Sequence, residues 1–303
     1  MITAKTLERH GHSMPILLLM IVVCAAFVVF LIIKDHLEYS IATYVTDRTL
    51  ATTYRACLLW MASFTAFVLM AVWLILISLY PIASYTSRRD QRNVLAGTFV
   101  IITGISAWHL MPRFSGGRSL LDPLEPALRQ AVIIVSTLGY AAGSLSVCLM
   151  IFACVALAST RAPLSVSDLR RRFDLAKLML LSSAALLAAS VAHVYFLYDW
   201  PWRVQHLTAP YASSAHEMAR ATAVAYAIVY TAFLIAAHLP LSVIQEFQMR
   251  AVMAPFEDTG QLDLRQWKIQ NGLDRSSLTM VVEVLAMAGP LLTAIGLPKL
   301  LLG

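Results

Sequence analysis

Six apolar runs of 18 or more residues recur along the 303-residue chain, and they decide the class of fold that it can adopt. A run of this length is sufficient to cross a bilayer core, where the backbone has to satisfy its own hydrogen bonds as a helix. Only 13% of the residues are charged, against about 25% in soluble domains. The sequence therefore predicts an all-α, polytopic membrane protein with about six transmembrane helices. The predicted spans are Pro15–Ile33, Ala56–Tyr80, Leu95–Pro112, Ala131–Ala158, Leu175–Tyr198 and Ala221–Ile244.

Composition divides the chain into a transmembrane bundle over residues 1–244 and a more polar segment over residues 245–303. The second segment is expected to contain a short polar helix and then an apolar one. Glu283 and Lys299, together with two glycines and two prolines, make residues 276–302 a poor seventh span. A cytoplasmic or interfacial helical tail is therefore the preferred prediction, and a seventh membrane segment stays open as the alternative.

The distribution of lysine and arginine predicts the orientation of the bundle. If the N-terminus is cytoplasmic, the segments on the cytoplasmic side carry 15 basic residues and those on the other side carry 8. This difference favours a multi-pass protein with both termini in the cytoplasm.

Two groups of arginines flank the apolar runs on the predicted cytoplasmic side. Ser165 and Asp168 form an S-x-x-D capping box, which predicts that a helix begins near Val166, just before one of these groups. Consecutive helical residues lie about 100° apart, so three arginines in a row cannot all face one partner. They either anchor the topology or, as a ring from several subunits, bind the phosphates of an anionic ligand. The candidate ligand-binding residues are Arg88, Arg89, Arg92, Arg170, Arg171 and Arg172.

Polar and small residues mark faces of the predicted helices. Thr222, Tyr226 and Tyr230 follow one another at four-residue spacing, so their hydroxyls share one face of the last run and are candidates for lining a pore. The same hydroxyls can instead bond to neighbouring helices. Gly139 and Gly143 form a GxxxG pattern, which predicts a close helix contact within one subunit or between subunits.

The apolar runs lack the groups that most membrane chemistry requires. No Asp, Glu, Lys or Arg lies deep within them, which argues against an ion-coupled transporter. The chain has no catalytic motif and no metal-ligand cluster, so we predict neither an enzyme nor a cofactor. One alternative is a haem-binding electron-transfer subunit, because His109 and His193 lie at similar depth in their runs. A second alternative is a non-conducting scaffold.

From residue 164 onward the sequence resembles the transmembrane effectors of Hailong-type anti-phage systems. The resemblance is carried by the arginine-rich helix foot, by Tyr198-Asp-Trp-Pro201, by Trp267-Lys-Ile-Gln-Asn-Gly-Leu273 and by Val284-Leu-Ala-Met-Ala-Gly-Pro-Leu-Leu292. It covers less than half of the chain and carries over no individual site residue. It implies a homo-oligomeric ion channel in a bacterial inner membrane. It also implies gating from the cytoplasmic side by a nucleotide or oligonucleotide that a partner protein makes, with membrane lipids as the other partners.

Overall fold

A computed structural model describes residues 47–110, 126–159, 165–204, 209–257, 264–274 and 277–302. All the regular elements in these ranges are α-helices, which confirms the all-α class. They are α1 (Asp47–Tyr85), α2 (Arg88–Leu110), α3 (Pro126–Ala158), α4 (Val166–Val204), α5 (Ala209–Glu257), α6 (Leu264–Gln270) and α7 (Ser277–Leu302).

Five of these helices are long and apolar enough to cross a membrane, namely α1, α3, α4, α5 and α7. The first four coincide with four of the six predicted spans. The predicted span Pro15–Ile33 lies outside the described residues. The predicted span Leu95–Pro112 begins within α2 and continues past its described end at Leu110.

At one end of the bundle, short capping sequences determine where α2 and α4 begin. At the start of α4, the Ser165 hydroxyl accepts a hydrogen bond from the Asp168 backbone N–H at 3.1 Å and donates one to the Asp168 carboxylate at 2.7 Å. Ser87 and Asp90 repeat this arrangement at the start of α2, with distances of 3.2 and 2.7 Å. Both boxes satisfy backbone donors that the first helical turn leaves unpaired.

Helix α4 lies at the centre of the bundle and packs against α1, α5 and α7, while α3 packs mainly against α1 and also contacts α4 and α5. We call the end that carries the α1–α2 turn and the start of α4 the arginine end. The opposite end, where Trp60 and Trp200 pack with Ala219 and Ala223, is the tryptophan end. At the arginine end, the short helix α6 buries Trp267 under α4 and α5.

Helix α7 belongs to the bundle and runs along the groove between α4 and α5. Ala286 packs beside Leu187 and Leu234, and Ala294 packs into the cluster at the tryptophan end. The expectation of a cytoplasmic or interfacial tail is thus not confirmed for residues 277–302. Glu283, which argued against a span, lies near the arginine end and beside a polar cavity, so its charge does not enter the apolar middle of the bundle.

Candidate functional site

The structure gathers both groups of arginines at the arginine end. Arg88, Arg89 and Arg92 lie in the first turns of α2 and are exposed, as are Arg170 and Arg171 at the foot of α4. The guanidinium of Arg171 lies over the Tyr80 ring of α1, 4.6 Å from its centroid. Arg171 therefore lies against the helix that leads directly into α2.

Arg172 differs from its neighbours because its side chain is only 4% exposed. Its Nη1 donates hydrogen bonds to the carbonyl oxygens of Leu157 at 2.9 Å and Ser159 at 2.6 Å. These carbonyls close the C-terminal end of α3, where the helix dipole favours a cation. Its guanidinium also lies 4.4 Å from the centroid of the Tyr85 ring. Of the six arginines predicted to bind a ligand, Arg172 therefore holds α1, α3 and α4 together and does not face solvent.

A series of polar contacts joins α4 to α5 from one end of the bundle to the other. The two helices are antiparallel, and on α5 the first three contacts follow at intervals of seven and eight residues, or about two helical turns. From the arginine end they join Gln245 to the Arg172 carbonyl at 3.2 Å, His238 to Ser183 at 3.4 Å, Tyr230 to Ser190 at 3.2 Å, and His216 to Asp199 at 3.0 Å. The partners come from distant parts of the sequence, so no local motif reveals the series.

The first of two cavities on this series lies at the arginine end, between α4, α5 and the turn that joins α6 to α7. It has a volume of about 170 Å³, and we call it the inner cavity. Its charged lining consists of Asp174, Lys177, Asp274 and Glu283, and His238 lines it at the deep side. These three carboxylates outnumber Lys177 and the guanidinium of Arg170, which approaches the lining residue Gly272, so the cavity attracts cations.

The second cavity, which we call the middle cavity, lies between α1, α3, α4 and α5 and has a volume of about 210 Å³. The polar groups of its lining belong to Tyr140, Ser144, Cys148, Ser190 and Tyr230, and the remaining lining is apolar. Tyr230, one of the predicted pore-lining residues, therefore lines a cleft between the helices of one chain.

The other two predicted pore-lining residues do not line either cavity. The Thr222 hydroxyl donates to the Met218 carbonyl of its own helix at 2.8 Å. Tyr226 is 38% exposed, and its ring centroid lies 5.7 Å from that of Tyr230. The three hydroxyls thus divide between a backbone contact, the outer surface and the middle cavity.

An apolar layer separates the two cavities. Ala184 and Leu187 of α4 meet Leu234 of α5 in this layer, and Leu234 is completely buried. Leu234 lies one helical turn from His238 on one side and one turn from Tyr230 on the other. The polar series is therefore interrupted by leucine between the inner and the middle cavity.

His193, one of the two residues of the haem alternative, is 1% exposed. Its ring is packed among Trp60, Phe64, Phe67 and Tyr140, with centroid distances from 5.2 to 6.2 Å, and it stacks nearly parallel to Phe67. Aromatic rings on several sides disfavour an axial haem ligand at this position. The side chain of His109, the other residue of the pair, lies outside the described part of the chain.

No group of three His, Cys, Asp or Glu side chains in the described ranges is arranged to hold a metal ion. Comparison with protein-family models, with curated proteins and with solved structures finds no match to this chain. The arrangement of its own residues is therefore the basis for assigning a function.

Proposed function

We propose that this chain is an ion-channel subunit that assembles as a homo-oligomer and is gated from the cytoplasmic side by an anionic ligand, a nucleotide or an oligonucleotide. The observation that carries the proposal concerns α4, which bears exposed Arg170 and Arg171 at its foot and lines both cavities farther along. A ligand that engages the foot of this helix acts on the same rigid element that borders the internal spaces.

The chemistry of the arginine end suits a phosphorylated ligand. A guanidinium binds phosphate through two parallel hydrogen bonds, and it stays charged at every physiological pH. Several such groups on neighbouring helices bind a multiply charged anion better than a single one does. The proposed ligand site consists of Arg88, Arg89, Arg92, Arg170 and Arg171, and it excludes Arg172 because that side chain is buried on α3.

Gating requires that the ligand bind the closed and open states with different affinity. The contact between Arg171 and Tyr80 supplies such a difference if the bound ligand draws the guanidinium away from the ring, because the contact then exists in only one of the two states. We propose that ligand binding replaces this contact and frees the foot of α4 from α1.

The outer surface of the bundle suits the other proposed partners, which are membrane lipids and further copies of the chain. Large apolar side chains are exposed along α3, α5 and α7, including Leu138, Val229 and Val284 at 62–66% exposure. Such a surface is suited to lipid tails and to further copies of the chain. The resemblance of residues 164–303 to Hailong-type effectors supports the same proposal. It adds a role in anti-phage defence at a bacterial inner membrane.

The proposal is tested with purified protein in planar lipid bilayers, with nucleotides and short oligonucleotides added to each side in turn. We expect current only after addition to the arginine side. In the double variant Arg170→Glu with Arg171→Glu, charge reversal should weaken the response about 100-fold or more, because like charges then oppose the ligand.

A matched control is Arg220→Glu, which reverses an exposed arginine of α5 near the tryptophan end. This variant should respond as the unmodified protein does. The channel proposal is wrong if no nucleotide or oligonucleotide evokes current. The assignment of the ligand site is wrong if the double variant responds normally.

A further inference from the structure

We infer that the ion route of this channel runs inside a single subunit along the α4–α5 interface, and that the layer formed by Leu187 and Leu234 is its closed gate. This inference deepens the proposed channel function and rests on it. Each subunit of the oligomer then contains its own ion route.

The order of groups along the interface carries the inference. His238 and Ser183 meet at the deep side of the inner cavity, and Tyr230 and Ser190 meet at the middle cavity. His238 and Tyr230 are eight residues apart, a rise of about 12 Å along the helix. The leucine layer fills the interval between these two polar contacts.

The inner cavity is polar and large enough to hold water, and the middle cavity offers water the hydroxyls of Ser144, Ser190 and Tyr230, whereas the tightly packed apolar layer between them excludes it. Leu234 is 0% exposed and Leu187 is 4% exposed, and Val147 and Ala286 pack around them from α3 and α7. An ion that enters the inner cavity would lose its hydration at this layer without gaining a polar substitute. The described conformation is therefore closed at Leu187 and Leu234.

Helix α4 connects the gate to the ligand end. Arg171 and Leu187 are 16 residues apart on one continuous helix, about 24 Å along its axis. A small rotation or shift of α4 relative to α5 moves Leu187 away from Leu234, and the two cavities then join. The interface can open in this way because hydroxyl and imidazole groups lie on both sides of the layer and can hold water there.

The charge of the inner cavity identifies the class of ion. The carboxylates of Asp174, Asp274 and Glu283 outnumber the cationic groups of Lys177 and Arg170, so the space beside the gate favours cations over anions. We therefore infer that the route carries small cations, even though an anion at the arginines opens it.

The test measures the access of a reagent to Cys148, a native thiol that lines the middle cavity beyond the layer. A positively charged, membrane-impermeant methanethiosulfonate reagent is added at the arginine end of protein in sealed vesicles, without ligand. Modification of each cysteine is then quantified by mass spectrometry. We expect Leu234→Ser to raise the rate of Cys148 modification about tenfold or more, because serine lets water cross the layer.

Leu187→Ser disrupts the layer from the other helix and should give the same result. It takes the place of Leu234→Ser in the test if that variant does not yield folded protein. The matched control is Leu239→Ser on α5, where the leucine is 55% exposed on the outer surface. Cys57 and Cys154 are buried outside both cavities and serve as internal controls, since their modification rises only when the fold is lost.

The outcomes separate this inference from the proposed function. If both serine variants leave Cys148 as unreactive as in the unmodified protein while ligand still evokes current, the route lies elsewhere and the channel function stands. If ligand evokes no current from any variant, the channel function fails, and with it the role of the layer as a gate. Anion-selective current would overturn the assignment of the inner cavity to cations.

Discussion

Three adjacent arginines at the foot of α4 have three different surroundings, because each residue turns about 100° around the helix from the last. Arg171 lies on Tyr80, whereas Arg172 points into the bundle and binds the end of α3. Arg170 points toward α6 and approaches Gly272, where an added Cβ would lie 3.2 Å from its Cζ. Gly272 has φ of 67°, a conformation that glycine adopts without strain. Only two of the three arginines are therefore available to a ligand.

The burial of Arg172 predicts a loss of stability in Arg172→Ala. The substitution removes two charge-assisted hydrogen bonds and leaves two carbonyl groups at the end of α3 without this partner. We expect a loss of about 2–3 kcal/mol in the free energy of unfolding, measured by denaturant titration in detergent. Arg92→Ala is the matched control at an exposed position and should change the stability by less than about 0.5 kcal/mol. Equal effects in the two variants would contradict the anchoring role of Arg172.

At the scale of elements, the GxxxG pattern of α3 proves to serve a contact within one chain. A Cβ added at Gly139 would lie 2.5 Å from the Phe64 ring of α1, and one added at Gly143 would lie 2.5 Å from the Phe67 ring. The glycines therefore let α1 and α3 approach closely, as the spacing predicted. Phe67 cannot move aside easily, because it is buried and stacks on His193.

This packing predicts that Gly143→Ala destabilises the bundle by about 1–3 kcal/mol, the usual cost of overpacking a core. Gly289→Ala on α7 is the matched control, because a Cβ at Gly289 meets nothing within 4 Å. That variant should be neutral or stabilising by up to about 1 kcal/mol, since alanine is the better helix former. Thermal unfolding of both variants in the same detergent compares them. A Gly143→Ala protein as stable as the Gly289→Ala protein would show that α1 and α3 are not closely packed.

At the scale of the whole molecule, the path of α7 bears on the expected topology. It starts at the arginine end and reaches the tryptophan end, where Ala294 packs near Trp200 and Ala219. If α7 crosses the bilayer, residue 302 lies on the side opposite the arginines. The charge count that favoured two cytoplasmic termini placed residues 245–303 in one cytoplasmic segment, which a membrane-crossing α7 would divide.

We predict that alkaline phosphatase fused after Leu302 is active, and therefore lies outside the cytoplasm, in bacterial cells that express the protein. Ser87→Cys, in the exposed turn between α1 and α2, reports on the opposite side. It should react with an impermeant maleimide only after the cells are opened. The expectation of a cytoplasmic tail would be restored if the phosphatase is inactive while Ser87→Cys stays protected in intact cells.

Length, hydropathy and short capping patterns are local properties, so they identified the all-α class, four of the helices that are long and apolar enough to cross a membrane, and the start of α4 directly after Ser165. Which side chains meet across helices is a different question, because it depends on how antiparallel helices choose partners and register. The His238–Ser183 and Tyr230–Ser190 contacts join residues 55 and 40 positions apart. The inward turn of Arg172, the leucine layer and the path of α7 likewise emerged only when the helices packed, since burial and cavity shape belong to the assembled bundle.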